Sequence, residues 1–168
     1  MSRLAAVLLS LALAAPALAA TPPRLGIASF AELKPPLPYP YDEAADADAD
    51  VAKARARAKA HHKLLLIDLG GNWCGDCRVL AGTAELPALR AFIDRHYELV
   101  TVDVGRFDRN LQVPAHYGFT KRLVGVPTLL VVDPRTDALL NRNDVFALSD
   151  AGSMTPQALA DWLAKWPK

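Results

Sequence analysis

Apolar residues fall along this chain in blocks of different period, and the periods assign the elements. From Leu64 to Leu69 the run LLLIDL is apolar at nearly every position, as in a strand covered on both faces. Leu99, Val100, Val102 and Val104 mark a second strand over Glu98–Val104, and VGVPTLLVVD marks a third over Val124–Asp133. Leu89, Phe92 and Ile93 recur at helical spacing behind Pro87, which predicts a helix from Pro87 to about Tyr97. Leu159, Trp162, Leu163 and Trp166 predict another behind the Thr155 cap and Pro156. Between about Asp42 and His62 the chain is rich in Ala, with Asp46, Asp48 and Asp50 early and Lys53, Arg55, Arg57 and Lys59 late. That order complements a helix dipole. A loop with a short helix is expected over Gly105–Gly118, a turn at Pro134–Asp137, a brief strand at Ala138–Leu140 and an irregular polar segment from Asn141 to Ser153. Strands alternating with helices in this order predict an α/β fold, with a mixed central sheet and helices on both faces.

Two stretches stand outside that pattern. Arg3, the apolar segment Leu4–Leu13 and the small-residue site Ala17-Leu18-Ala19 have the layout of a cleavable signal peptide over residues 1–20. A periplasmic or otherwise exported protein is therefore expected. Residues 21–41 hold Pro22, Pro23, Pro35, Pro36, Pro38 and Pro40 and predict an extended arm. This arm either lies on the domain through Phe30, Leu33, Tyr39 and Tyr41 or serves as a tether. The domain proper is placed at 42–168.

The chemistry concentrates at Leu64–Leu80, LLLIDLGGNWCGDCRVL, where the first strand turns into a helix. Cys74 and Cys77 are three residues apart and so share one helix face, within reach of a disulfide. Cys74 stands at the helix N-terminus, where free N–H groups favour a thiolate, and Cys77 stands a turn deeper. This makes Cys74 the nucleophile and Cys77 the resolving thiol. A structural staple is disfavoured, because so short a loop contributes only about 2 kcal/mol. A zinc site would need a second Cys pair or spaced His residues, and the chain has neither. Asp68 interrupts the apolar strand six residues before Cys74. A buried carboxylate costs several kcal/mol, a cost repaid if its carboxyl lies under the thiols and takes a proton from Cys77.

WCGDC, preceded by an apolar strand bearing Asp68 and followed some fifty residues later by GVPTLLVVD, resembles the thioredoxin superfamily over roughly Leu64–Asp133. The resemblance implies a thioredoxin-like three-layer sandwich, with Cys74 attacking, Cys77 resolving, Asp68 assisting and Pro127 cis after Val126. Trp73 is then the flanking aromatic, and Trp73, Gly75, Asp76, Val126 and Pro127 meet the substrate. The sequence departs from the family pattern twice: Gly75-Asp76 replaces the usual Gly-Pro, and Gly70-Gly71-Asn72 replaces an aromatic-rich entry.

These readings converge on an exported thiol–disulfide oxidoreductase. Asp76 beside Cys74 is expected to raise the thiol's pKa and to favour a reductase. The resemblance also implies a membrane-embedded thiol electron donor. The alternative is a module in which CGDC binds a soft metal, Cu or Zn, with help from His61, His62 or His116. Without Arg3 the chain carries 18 basic and 18 acidic side chains, a balance that argues against nucleic acid or an anionic membrane as partner. No phosphate-cradling glycine motif is present, so no tightly bound cofactor is expected, and the protein is expected to be a monomer.

Overall fold

The structure is a computed structural model that describes residues 19–167. The expected export segment, but for its last two residues, lies outside them. Four strands, β1 (Leu64–Gly70), β2 (Tyr97–Asp103), β3 (Thr128–Asp133) and β4 (Ala138–Leu139), form one mixed sheet in the order β2-β1-β3-β4. β1 runs parallel to β2 and antiparallel to β3, so the strand with Asp68 is central. Asp68 sits opposite Thr101 on one side and Leu129 on the other.

Helices cover both faces. Helix α1 (Ala47–Ala60) turns Ala47, Ala54 and Ala58 toward Leu65, Ile67, Leu69, Leu130 and Val132. These small side chains let the helix approach the sheet closely. The other face carries α2 (Gly75–Ala84), α3 (Pro87–His96) and α5 (Pro156–Leu163), whose Leu80, Leu89, Phe92, Leu159 and Leu163 pack on Leu66, Leu129 and Val131. The crossover from β1 to the parallel β2 runs through α2 and α3, which sets the thiol helix against the sheet directly after the central strand. A five-residue helix, α4 (Gln112–His116), lies between β2 and β3.

Several boundaries differ from expectation, and local hydrogen bonds explain them. Helix α1 starts at Ala47 rather than near Asp42, because Asp46 caps it by accepting from the Ala49 N–H at 3.0 Å, while Asp42 closes a turn onto the Ala44 N–H. β3 starts at Thr128 rather than Val124: the Thr128 hydroxyl donates back to Gly125 O at 2.6 Å, and Pro127 has no N–H for the ladder. The polar segment after β4 runs beside β3 without becoming a strand. Buried Asn141 accepts from Val131 N–H at 2.9 Å and donates to Leu129 O at 2.8 Å, doing with a side-chain amide what a neighbouring strand does with its backbone.

The proline-rich stretch packs onto the domain. Leu25, Leu33 and Tyr41 are buried, Phe30 is partly covered, and Tyr39 is 64% exposed. Arg78 of α2 donates to Leu37 O at 2.9 Å and Pro38 O at 3.2 Å, and its guanidinium lies 4.0 Å from the Tyr39 ring centre. Thr101 of β2 donates to Pro40 O at 2.8 Å. Residues 37–41 are thereby held between α2 and β2, and Tyr41 is carried inside.

Candidate active site

β1 ends at Gly70, and a tight turn, closed by Cys74 N–H to Gly71 O at 3.0 Å, leads into α2. Cys74 is the N-cap residue of α2 rather than part of its first turn. Its sulfur stands where a Ser or Asp oxygen commonly stands, and it accepts the Cys77 N–H at 3.1 Å. In the thiol form Cys74 donates to Val126 O at 3.3 Å. The two cysteines are free thiols, with Cys74 5% exposed and Cys77 fully buried.

The residues expected around the thiols fall as follows. The Val126–Pro127 peptide is cis, Pro127 is buried, and the Val126 carbonyl faces Cys74, so in this form it is taken by the thiol rather than left free. A Cβ at Gly75 would meet nothing within 4 Å, which leaves the side of the thiol pair open. Asp76 turns its carboxylate to the Gly152 N–H at 2.7 Å. Trp73 is 42% exposed, and its indole N–H donates to Gly105 O at 2.7 Å. The loop after β2 borders the site through this ring: Phe107 meets Trp73 edge-on, Arg106 lies 4.5 Å from the Trp73 ring centre, and Arg122 lies 4.5 Å from that of Phe107.

Asp68 is 4% exposed and points to the face of the sheet that carries α2. Its partner is the Tyr41 hydroxyl, which donates to Oδ1 at 2.9 Å. The Tyr41 backbone is clamped by Asn72, whose amide donates to Tyr41 O at 2.7 Å and accepts from Tyr41 N–H at 3.1 Å. A Cβ at Gly70 would overlap the Tyr41 hydroxyl and stand 2.8 Å from Cys77 Sγ. The glycine therefore opens the space in which hydroxyl and sulfur meet. Sequence reasoning did not assign Tyr41, Gly70 or Asn72 to the site. Twenty-seven residues separate Tyr41 from Asp68, and the only signal was a buried acid in need of a partner.

The histidines of the metal-binding alternative lie elsewhere. His61 pairs with Glu98 at 3.0 Å, beside the start of β1, and His62 follows it. His116 pairs with Asp137 at 2.7 Å, beyond the end of β3. Both positions are at the end of the strands opposite to that from which Cys74 follows, so these rings do not join the thiols, and the alternative loses its nitrogen ligands.

Residues 46–134 match the model of a family described as thioredoxin-like. The chain belongs to the thioredoxin-like family. A thioredoxin of Alicyclobacillus acidocaldarius subsp. acidocaldarius is 32% identical over 69 residues, which are 41% of this chain and 57% of that protein. The crystal structure of a disulphide isomerase from Xylella fastidiosa Temecula1 matches with 39% identity and a TM-score of 0.70, over 77% of this chain and 97% of that one. One departure from the family pattern now has a physical reason. Gly70 and Asn72 replace a bulkier entry because they accommodate and clamp Tyr41.

Electrostatically the two thiols are unequal. Hydrogen bonding from Cys77, first its side chain and then its N–H, lowers the Cys74 pKa below the ordinary thiol value. Burial and the Asp76 carboxylate oppose that lowering. The expectation that Asp76 leaves Cys74 with a raised pKa is thus corrected: the repulsion exists, but the helix N-terminus and the neighbouring thiol outweigh it. Cys77 is driven strongly upward by the same pairing with Cys74, by burial and by the Asp68 charge. Burial pushes Asp68 from 3.8 to about 7, with the Tyr41 hydrogen bond pulling the other way.

The Asp68 shift predicts a pH-dependent stability. A carboxyl with a folded pKa above its unfolded value binds more protons in the native state, so its contribution is fully present below about pH 4 and is lost as pH rises through about 7. Asp68→Asn removes that loss and is expected to unfold at higher urea than wild type at pH 8, by about 3–4 kcal/mol, with the difference shrinking toward pH 4. Urea titrations at the two pH values check this, and equal wild-type and variant midpoints at pH 8 would contradict it.

Proposed function

We propose that this protein is a thiol–disulfide oxidoreductase that exchanges disulfides with protein substrates through Cys74 and Cys77. The observation that carries the reading is the inequality of the pair, with one sulfur capping α2 and accepting the Cys77 N–H at 3.1 Å, and the other buried below it. The thioredoxin and the disulphide isomerase that the chain resembles support it. The Cys74 thiolate attacks a substrate disulfide, one substrate sulfur leaves as a thiolate, and a mixed disulfide forms. Cys77 then loses its proton toward Asp68, attacks Cys74 Sγ and releases the second substrate sulfur. Two electrons pass to the substrate and the pair becomes a disulfide. Trp73, Gly75, Asp76 and the Val126–Pro127 segment form the surface against which the substrate lies, and exposed Val124 extends it with apolar area.

The direction we assign is reduction. The pairing with Cys74, burial and the Asp68 charge hold Cys77 in its thiol form, and a resolving sulfur whose anion is so disfavoured favours the disulfide, against the opposite pull of the lowered Cys74 pKa. We further propose that the protein works after export, on the strength of the basic, apolar and small-residue order of residues 1–20, that it works as a monomer, and that a membrane-embedded thiol protein returns its electrons.

Four measurements test this. Reduction of insulin disulfides should be catalysed by the wild type and abolished in Cys74→Ser, while Cys77→Ser should accumulate mixed disulfides with client and donor, visible on non-reducing gels. Wild-type turnover without any trapped species would count against the mechanism. A reduction potential nearer about −270 mV than about −120 mV is expected, and the reverse would exclude the reductase direction. Cell fractionation should recover the protein in the periplasm with an N-terminus near Thr21, and recovery of the intact chain in the cytosol would rule out export.

A further inference from the structure

The Asp68 carboxyl does not reach Cys77 across empty space. The Tyr41 hydroxyl donates to Asp68 Oδ1 at 2.9 Å, and the Tyr41 hydroxyl oxygen and Cys77 Sγ both lie within 2.8 Å of the point a Gly70 Cβ would occupy. Acid, phenol and thiol are therefore consecutive neighbours, packed around one missing side chain. Asp68 also borders a solvent-open groove of about 510 Å³ between Pro38–Pro40, Leu99 and Thr101 of β2, and the α2–α3 corner. Cys77 does not line this groove. A phenol can accept one proton while it donates another, so it can pass charge along without holding it.

We infer that Tyr41, brought in by the proline-rich segment, relays the proton of Cys77 to Asp68 during resolution of the mixed disulfide. The inference rests on the oxidoreductase reading above and adds to it the residue that moves the proton. As Cys77 Sγ attacks Cys74 Sγ, its proton goes to the Tyr41 oxygen and the Tyr41 proton goes to Asp68. The S–S bond to the substrate breaks, and the substrate sulfur leaves with the electron pair. Tyr41 ends as it began, Asp68 ends protonated, and the acid returns its proton to water through the groove. The titratable and charged groups that face this line are Cys74 and Asp76 from α2, and around the groove Glu85, Arg90, Asp94, Tyr97 and Glu98.

Stopped-flow reaction of the reduced protein with 5,5′-dithiobis(2-nitrobenzoate) separates the steps. The first coloured thiolate reports attack by Cys74 and the second reports resolution by Cys77. In Tyr41→Phe, which keeps the ring, the second phase should slow by about tenfold to a hundredfold. Its rate should also lose the inflection near pH 7 that the Asp68 carboxylate imposes on the wild type. Tyr39→Phe, an exposed neighbour on the same segment, should leave both phases unchanged. Asp68→Asn should slow the second phase comparably, and the double variant should be no slower than the slower single one, because the two groups act in series. A second phase in Tyr41→Phe with wild-type rate and pH profile, or additive losses in the double variant, would overturn the relay while leaving the oxidoreductase reading intact. Release of only one coloured thiolate by the wild type would overturn both.

Discussion

A carboxyl group in the middle of the central strand, away from bulk water, is the constraint on which the site depends. Burying an acid is costly unless it stays protonated or finds a donor, and Asp68 does both: its pKa is pushed to about 7, and the Tyr41 hydroxyl donates to it. That hydrogen bond joins the central strand to the segment before α1. It requires the segment before α1 to run under α2, and it requires Gly70 to carry no side chain. Arg78 and Asn72 supply the clamps that hold the segment there.

The thiol pair draws its inequality from the same junction. A strand that ends at Gly70 and a helix that starts at Gly75 leave Cys74 at the point where backbone N–H groups have no helical partners. The sulfur takes the role of a capping oxygen. Cys77, one turn on, lies beneath it among apolar residues and near the Asp68 carboxyl, where the pairing with Cys74, burial and the Asp68 charge oppose ionisation more strongly than the Gly71 backbone favours it. Cys77 therefore reacts only when its proton has somewhere to go, and the buried acid and phenol are placed to receive it. On the open side the site is of opposite character, with Trp73, Phe107, Arg106 and Arg122 stacked at the surface.

The segment between the expected export signal and α1 changes meaning in this light. Its prolines suggest a spacer, but spacers do not bury Leu25, Leu33 and Tyr41. An extended chain exposes its carbonyls, and Arg78 and Thr101 bind those of Leu37, Pro38 and Pro40. Proline stiffness lowers the entropy lost on docking such a strand, so composition that reads as a tether also suits a fixed strap.

Periodicity and motif spacing were enough to recover the strand-turn-helix unit with Cys74 and Cys77, the central place of the Asp68 strand, the helices behind Pro87 and Pro156, and the mixed sheet with covered faces. These are local properties, written in hydrophobic period, proline position and the distance of one helical turn. Element ends were less legible, because Asp46 and Thr128 set them through single side-chain bonds that compete with equally good neighbours. The sign of the Cys74 shift is opposite to what Asp76 alone suggests, because a nearby charge is visible in a sequence while the summed bonds of a helix N-terminus are not. Tyr41 as the partner of Asp68, Asn72 as its clamp and the separation of the histidines from the thiols came only from the folded chain. Contacts between residues tens of positions apart depend on how the strap, helix and sheet close on one another, and no linear pattern encodes that closure.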